Sequence, residues 1–168
     1  MSLPAAARST VYSIVIVIIT VIAPLVSTLI QGISTGWDGG LVVIAGQQWV
    51  FWGVGIRLFT AGLSQALRPE FTMKTILGID APNATQLVSE LGYANLGIGA
   101  AGILTLFFPD WAPAAGLAGG IFLLLAGIRH LAKPQKNTKE WVALATDLLV
   151  AVIVLVYVGW VIVTGSTP

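Results

Sequence analysis

Long runs of hydrophobic residues, separated by short polar segments, make up most of this 168-residue chain. Five runs can be drawn, and each supplies about the 20 apolar residues that a helix needs to cross a hydrocarbon core. The runs cover residues 11–33, 41–67, 84–108, 113–131 and 138–163. The pattern predicts an all-α integral membrane bundle of five transmembrane helices, in a single membrane domain that covers residues 1–168.

The polar segments between the runs differ in length and in charge. Residues 34–40 and 109–113 are short and turn-like and carry no cation, whereas residues 133–139 are short and basic. Residues 68–83 form a longer segment in which charged and apolar side chains alternate. Such a composition is typical of an amphipathic helix in the membrane interface, so we expect a cytoplasmic interfacial linker here.

Positive charge predicts the orientation of the bundle, because cytoplasmic loops of membrane proteins are enriched in Lys and Arg. The opposite loops hold Asp38 and Asp110 and no cation. If the N-terminus is cytoplasmic, then the cytoplasmic side carries Arg8, Arg68, Lys74, Arg129, Lys133, Lys136 and Lys139. The C-terminus would then be periplasmic or extracellular.

Composition narrows the functional classes. The chain is 57% hydrophobic and 9% charged, whereas soluble domains carry about 25% charged residues. A net charge of +1 gives no indication of a nucleic-acid partner, and the lipid bilayer is the expected partner. No cysteine and one histidine exclude thiolate and multi-histidine metal sites. We therefore predict no metal site, no cofactor and no catalytic residue, and the sequence favours a protein that is not an enzyme.

Three charged residues lie deep inside the hydrophobic runs, away from their ends, where charge is costly and is usually paired or functional. Arg57 and Asp147 each lie ten residues from the cytoplasmic end of their helix, which is a depth of about 15 Å at the α-helical rise. Glu90 lies about 10 Å deep by the same rise, and Asn95 lies deeper. These four residues are predicted to form an intramembrane polar cluster, in which Arg57 pairs with Asp147 or with Glu90.

Two interpretations of this cluster stay open. The first is a structural ion pair that sets the register of the helices. The second is a path for a proton or a substrate through a polar cavity beside Glu90, Asn95 and Asp147. Thr60 and Ser64 favour an inward-facing polar stripe on the helix of Arg57, because both lie at helical spacing from it.

Glycine is abundant, with 19 residues. Gly116 and Gly120 form a small-xxx-small motif in the fourth run, and Gly127 follows them. Gly97 leaves a small surface on the third run. We predict these four glycines to be helix-packing positions, within one bundle rather than between two chains. His130 ends the fourth run, where a cation would stabilise the C-terminal end of a helix dipole.

Three segments resemble a family pattern. These are GIRLFTAGLSQAL (55–67), ELGYANLGIGAAGIL (90–104) and GIRHLAK (127–133). They resemble an uncharacterised bacterial family of small multi-pass membrane proteins similar to DoxX-like four-helix proteins. The resemblance implies a four-helix bundle with an added N-terminal helix, located in the bacterial inner (plasma) membrane. It implies no settled activity, although DoxX-like proteins include subunits associated with quinone-linked sulfur oxidation.

Three functions are compatible with these observations. The leading hypothesis is an accessory or scaffold component of a membrane assembly, with other membrane subunits or further copies of the chain as partners. The alternative is a small proton-coupled transporter with a polar cavity at Glu90, Asn95 and Asp147. A second alternative, implied by the resemblance, is a membrane subunit of a quinone-linked oxidoreductase.

Overall fold

The computed structural model describes the backbone of residues 5–77 and 84–166, with the side chains of 10–74 and 84–166. Within these residues the chain is helical and contains no β-strand. Five helices are long and apolar enough to cross a membrane, which confirms the predicted all-α class and the helix count. They are α1 (Thr10–Thr35), α2 (Gly40–Leu67), α3 (Thr85–Leu104), α4 (Pro109–Ala132) and α5 (Thr138–Thr164).

The third helix ends earlier than its hydrophobic run predicts. The N–H groups of Phe107 and Phe108 both donate to the carbonyl of Leu104, at 3.0 and 2.9 Å, and close a turn there. Phe108 then adopts an extended conformation (φ −129°, ψ 76°) before Pro109. A proline disfavours the helical conformation in the residue before it, so the chain must leave the helix before Pro109 although the side chains stay apolar.

The linker after α2 is buried on one side. It begins with a short helix, Pro69–Phe71, and continues as a π-helical segment, Thr72–Leu77. Thr72 and Met73 are buried whereas Glu70, Phe71 and Lys74 are exposed, so this part of the linker packs partly against the bundle. Its location in the membrane interface stays a prediction. Residues 78–83 of the predicted linker lie outside the described residues.

A capping box begins α5. The N–H of Glu140 donates to Asn137 Oδ1 and the N–H of Asn137 donates to Glu140 Oε2, both at 3.0 Å. Glu140 also accepts a hydrogen bond from Lys133 and is buried. The reciprocal bonds satisfy N–H groups that the first turn of a helix leaves without partners.

The central helix of the bundle is α2. Its apolar span is 56% buried, against 17% for α1, which packs on the outside against α2 and α5. Apart from α1, the helices pack mainly as two pairs, which are α2 with α3 and α4 with α5. The core between them consists largely of aliphatic side chains, which include Val50, Val54, Leu123, Val150 and Val154.

Helices α2 and α3 approach each other through glycines. A Cβ atom added to Gly55 would lie 2.8 Å from the backbone of Gly102, and one added to Gly62 would lie 2.7 Å from the carbonyl oxygen of Gly92. At Gly99 it would lie 2.3 Å from the backbone nitrogen of Phe59. Backbones in such contact leave no room for a side chain, as is common where membrane helices pack closely.

The glycines predicted for helix packing divide into two groups. Gly116, Gly120 and Gly127 face aliphatic side chains of α5, so the structure places them in the α4–α5 contact within the bundle. The prediction for Gly97 was wrong, because a Cβ atom added there would meet nothing within 4 Å. Gly97 lies two residues from Gly99, and residues two apart do not share a face of a helix.

Two of the long helices contain π-helical segments, Ile18–Ile22 in α1 and Val50–Ile56 in α2. The N–H of Ala23 donates to the carbonyl of Ile18, and the N–H of Arg57 donates to that of Trp52, each five residues earlier. The two π-helical segments contact each other. A π-helical turn holds more residues than an α-helical turn, so each segment rotates the residues that follow it.

Candidate functional site

An ion pair joins α2 to α5 inside the bundle. Arg57 Nη2 contacts Asp147 Oδ1, and the two side chains are only 8% and 6% exposed. Arg57 is the residue at which α2 returns from the π-helical segment to α-helical geometry. The structure thus brings together two of the four residues predicted for the polar cluster. Because both charges are buried, each depends on the other for compensation.

His130 adds a third group to this pair. Its Nε2 lies 3.9 Å from Asp147 Oδ2, so the carboxylate of Asp147 stands between Arg57 and His130. From the sequence, His130 was expected only to stabilise the C-terminal end of its helix. The hairpin of α4 and α5 turns it toward Asp147.

Asn95 lies nearby and is bonded to a residue that the sequence analysis did not select. It is 3% exposed, and its Nδ2 donates to Gln65 Oε1 at 2.7 Å. Gln65 follows Arg57 by eight residues on α2, which places it near the same face two turns later. That spacing is a signal in the sequence that could have identified Gln65 as a member of the cluster.

The structure does not bring Glu90 into the cluster. Its side chain is on the exposed surface of α3, where Oε1 accepts a hydrogen bond from Gln86 Nε2 at 3.0 Å. The buried face of α3 follows Val88, Gly92 and Asn95. Glu90 is two residues from Val88 and from Gly92, so it points away from that face. The predicted cluster is therefore corrected to Arg57, Asp147 and Asn95, with His130 and Gln65 as additional members.

These five residues line a cavity of about 360 Å³. All five long helices and the linker after α2 contribute to its wall. The volume falls in the range of about 300–1,000 Å³ that is typical of small-molecule sites. Much of the rest of the wall is apolar and includes Val15, Ile16, Leu58, Leu91, Phe122 and Leu123.

Three residues of the cavity wall hold buried polar atoms that form no hydrogen bond within the described part of the chain. These atoms are Arg57 Nη1, Thr72 Oγ1 and Asn95 Oδ1. Buried polar groups in proteins are nearly always hydrogen-bonded, and leaving one unpaired is unfavourable. The site thus combines an unused N–H donor, an unused acceptor and a hydroxyl group that can act as either.

Two aromatic rings of the cavity wall contact a lysine that is not part of that wall. Lys139 Nζ is 5.6 Å from the ring centroid of Tyr12 and 5.8 Å from that of Phe71, and both rings line the cavity. A cation within about 6 Å of an aromatic face is attracted to it. Lys139 therefore links the start of α5 to α1 and to the linker.

Comparison with known proteins gives a family without a known activity. Residues 10–165 match the family described as Family of unknown function (DUF6790). The chain belongs to DUF6790. This agrees with the predicted uncharacterised family, but no similarity to DoxX-like proteins is found. No curated protein and no solved structure matches the chain.

The function of this DUF6790 protein must therefore be inferred from its own residues. Its cavity carries an ion pair, an amide pair and a histidine, with three polar atoms left unpaired among the described residues. Chemically, such a wall can hold a molecule that both accepts and donates hydrogen bonds. The apolar residues of the wall can contact a hydrocarbon part of the same molecule.

Proposed function

We propose that this membrane protein binds a small, uncharged molecule in the cavity beside Arg57. The molecule would accept a hydrogen bond from Arg57 Nη1 and donate one to Asn95 Oδ1. The observation that carries the proposal is the presence of these two unpaired buried atoms in residues that line the same cavity. Hydrogen bonds from a ligand would remove the penalty of leaving both atoms unsatisfied.

Charge supports an uncharged ligand. Arg57 and Asp147 neutralise each other, and no other Lys, Arg, Asp or Glu lines the cavity in the described residues. An ionic ligand would bring a charge without a counter-charge into a poorly solvated site, which is strongly unfavourable. A neutral molecule with a carbonyl or hydroxyl group and an apolar part has no such penalty.

The cavity bears on the three functions that the sequence suggests. A pure scaffold needs no cavity with unpaired polar atoms, so the site favours the transporter hypothesis over the accessory role. Glu90 has no part in that transporter, and Asp147 and His130 are the groups that would carry protons. The quinone-linked subunit stays a prediction from the resemblance, with no specific observation in its favour.

We also propose that the protein lies in the bacterial inner membrane with its N-terminus in the cytoplasm and its C-terminus outside. The distribution of Lys and Arg supports this orientation, and the cavity would then lie toward the cytoplasmic side. Lipid is the expected partner of the exposed apolar surface. Other membrane subunits or further copies of the chain are the candidate protein partners.

Alkylation of an introduced cysteine tests the proposed site. The chain has no cysteine, so Ser64→Cys, in the cavity wall, creates a single thiol. Iodoacetamide is uncharged and both donates and accepts hydrogen bonds, whereas iodoacetate reacts in the same way but is an anion. Gln86→Cys, on the exposed surface of α3, is the matched control that corrects for intrinsic reactivity.

Relative to Gln86→Cys, we expect Ser64→Cys to favour iodoacetamide over iodoacetate by about tenfold or more, which corresponds to about 1.4 kcal/mol. Adding Asn95→Leu should slow the iodoacetamide reaction at Ser64→Cys, whereas adding Gly97→Ala should not. Equal relative rates for the two reagents would contradict a site selective for uncharged molecules. Failure of both reagents to react would contradict an accessible cavity.

A further inference from the structure

A second cavity lies at the opposite end of the bundle. It has a volume of about 670 Å³ and lies among α1, α2 and the turn between α3 and α4. Side-chain amides and an indole line it, and they are bonded across the two helices. Gln48 Nε2 donates to Gln31 Oε1 at 2.6 Å, and Trp52 Nε1 donates to Ser27 Oγ at 3.1 Å.

We call this second cavity the outer cavity and the cavity beside Arg57 the inner cavity. The two have similar chemistry. Gln31, Gln47 and Gln48 each carry both a donor and an acceptor, as an uncharged polar molecule requires. Within the described part of the chain, Asp38 is the charged residue in its wall, and no Lys or Arg lines it. Both cavities therefore suit the same class of molecule.

The two cavities share the seam between α1 and α2. On α1, Tyr12 and Ile16 line the inner cavity, and Ser27 lines the outer one. On α2, Trp52 lines the outer cavity and Arg57 lines the inner one. The cavities thus follow one another along the same two helices.

Part of this seam is π-helical in both helices. Ile18–Ile22 lies between the cavity-lining residues of α1, and residues 53–56, between Trp52 and Arg57, belong to the π-helical segment of α2 that contacts it. Thr20, in the segment of α1, has no exposed surface. The buried contact of this π-helical pair is therefore the closed layer between the two cavities.

We propose that the two cavities are the ends of one passage for the uncharged molecule, with the π-helical pair as its gate. This inference rests on the proposed function, because it takes the ligand class from the inner site. A π-helical segment can convert to an α-helix by moving each N–H bond from the fifth to the fourth preceding carbonyl. The conversion would rotate α2 beyond the segment and move Arg57 relative to the outer cavity.

Proline helps to hold the gate in its π-helical form. Pro24 follows Ile18–Ile22 closely and is buried. It has no N–H, so the carbonyl of Thr20 cannot receive its ordinary α-helical hydrogen bond. The substitution Pro24→Ala would restore that donor and favour the α-helical form, which the proposal equates with the open gate.

Labelling from each side of the membrane tests the passage. Gln47→Cys reports on the outer cavity and Ser64→Cys on the inner one. The probe is a sugar-linked methanethiosulfonate, which is uncharged and does not cross bilayers, applied to intact cells and to inverted vesicles. We expect each thiol to react fast from its own side, Gln47→Cys in intact cells and Ser64→Cys in inverted vesicles. Because the gate opens, Ser64→Cys should also react in intact cells, at a lower rate.

Failure of Ser64→Cys to react in intact cells, with full reaction in inverted vesicles, would overturn the passage and leave the proposed binding site intact. Absence of reaction at Ser64→Cys from either side would overturn the binding site and, with it, the passage. Both variants must react fully after unfolding in detergent, which verifies that the thiols are present and reduced.

A thiol in the closed layer tests the gate. Thr20→Cys lies in the π-helical segment of α1, and Val154→Cys is the control, since Val154 is equally inaccessible but packs in the α4–α5 contact. If the gate opens locally, iodoacetamide should modify Thr20→Cys about tenfold faster or more than Val154→Cys. Pro24→Ala should raise the rate at Thr20→Cys and leave Val154→Cys unchanged. Equal rates at the two thiols, or no response to Pro24→Ala, would overturn the gate.

Discussion

At the scale of single residues, Arg57 has two roles, one in an ion pair and one as a free hydrogen-bond donor within the described residues. One terminal nitrogen contacts Asp147, and the other forms no hydrogen bond within the described residues. A guanidinium group has five donors in a planar fork, so one pairing cannot use them all. In a buried site the remaining donor favours any ligand that can accept from it. The same residue can therefore stabilise the bundle and serve as the anchor of a binding site.

A double substitution separates these two roles. Arg57→Leu or Asp147→Leu alone leaves an uncompensated buried charge, and each should reduce the free energy of unfolding in detergent by about 3–5 kcal/mol. The double variant removes both charges and should be destabilised much less. A double variant as unstable as the worse single one would show that simple pairing is not what connects these residues. The double variant should nevertheless slow the iodoacetamide reaction at Ser64→Cys, because the hydrogen-bond donor of Arg57 is lost.

At the scale of helices, the contact between α2 and α3 is the most restrictive part of the fold. Backbone meets backbone at Gly55, Gly62 and Gly99, and no side chain lies between the helices at these points. This closeness holds α3 so that Asn95 reaches Gln65 on α2. The Asn95–Gln65 pair in the wall of the inner cavity thus depends on glycines that bring the two helices together.

Alanine substitutions test this dependence. A methyl group at Gly99→Ala would lie 2.3 Å from the backbone nitrogen of Phe59, so one helix must move. We expect a loss of about 1–3 kcal/mol in the free energy of unfolding, as for other overpacked cores.

Gly97→Ala is the matched control on the same helix, since its methyl group meets nothing within 4 Å. It should leave stability unchanged or raise it slightly, because alanine restricts the unfolded chain more than glycine does. Similar losses from both substitutions, measured by thermal unfolding in the same detergent, would argue that helix propensity rather than close packing governs α3.

At the scale of the whole molecule, charge and hydrophobicity are strongly segregated. The two ends of the bundle differ in charge, because the loop between α4 and α5 and the linker after α2 carry Lys and Arg, whereas the turn between α1 and α2 carries Asp38. Large apolar side chains are exposed along the helices between these ends, with Val163 and Ile162 among the most exposed. Such an arrangement is stable in a bilayer and unfavourable in water.

The orientation of the protein can be measured directly. Gln135→Cys lies in the basic loop between α4 and α5, and Asp38→Cys lies in the turn between α1 and α2. With a charged maleimide that does not cross membranes, Asp38→Cys should react in intact cells and Gln135→Cys only in inverted vesicles. The reverse result would invert the topology derived from the positive charges. It would also exchange the inner and outer labels of the two cavities.

Much of the architecture could be predicted from local sequence patterns. Hydrophobic runs of sufficient length predict membrane helices, because the thickness of the bilayer sets a minimum length. The capping box at Asn137 likewise depends only on contacts within one turn of a helix, with Glu140 three residues later. The end of α3 was less predictable, because apolar side chains continue through the turn before Pro109.

The site was predictable only in part, since helical depth does not say which way a side chain faces. Depth placed Glu90 beside Arg57, but the rotation of α3 points it outward to Gln86. Depth alone also gave no indication that His130 would turn toward Asp147. These differences arise because packing between helices, rather than position along one helix, decides which side chains share a cavity.

The sequence by itself determined that the helices suit a lipid bilayer, how many of them can span it and which charged residues lie within them. Those properties follow from composition and from the span of the bilayer, and both are local. Only the tertiary structure decided which acid Arg57 contacts, which glycines allow close approach and where the cavities form. The physical reason is that two π-helical segments and a set of backbone contacts fix the rotation of each helix about its axis. That rotation is a property of the packed bundle, and no single hydrophobic run encodes it.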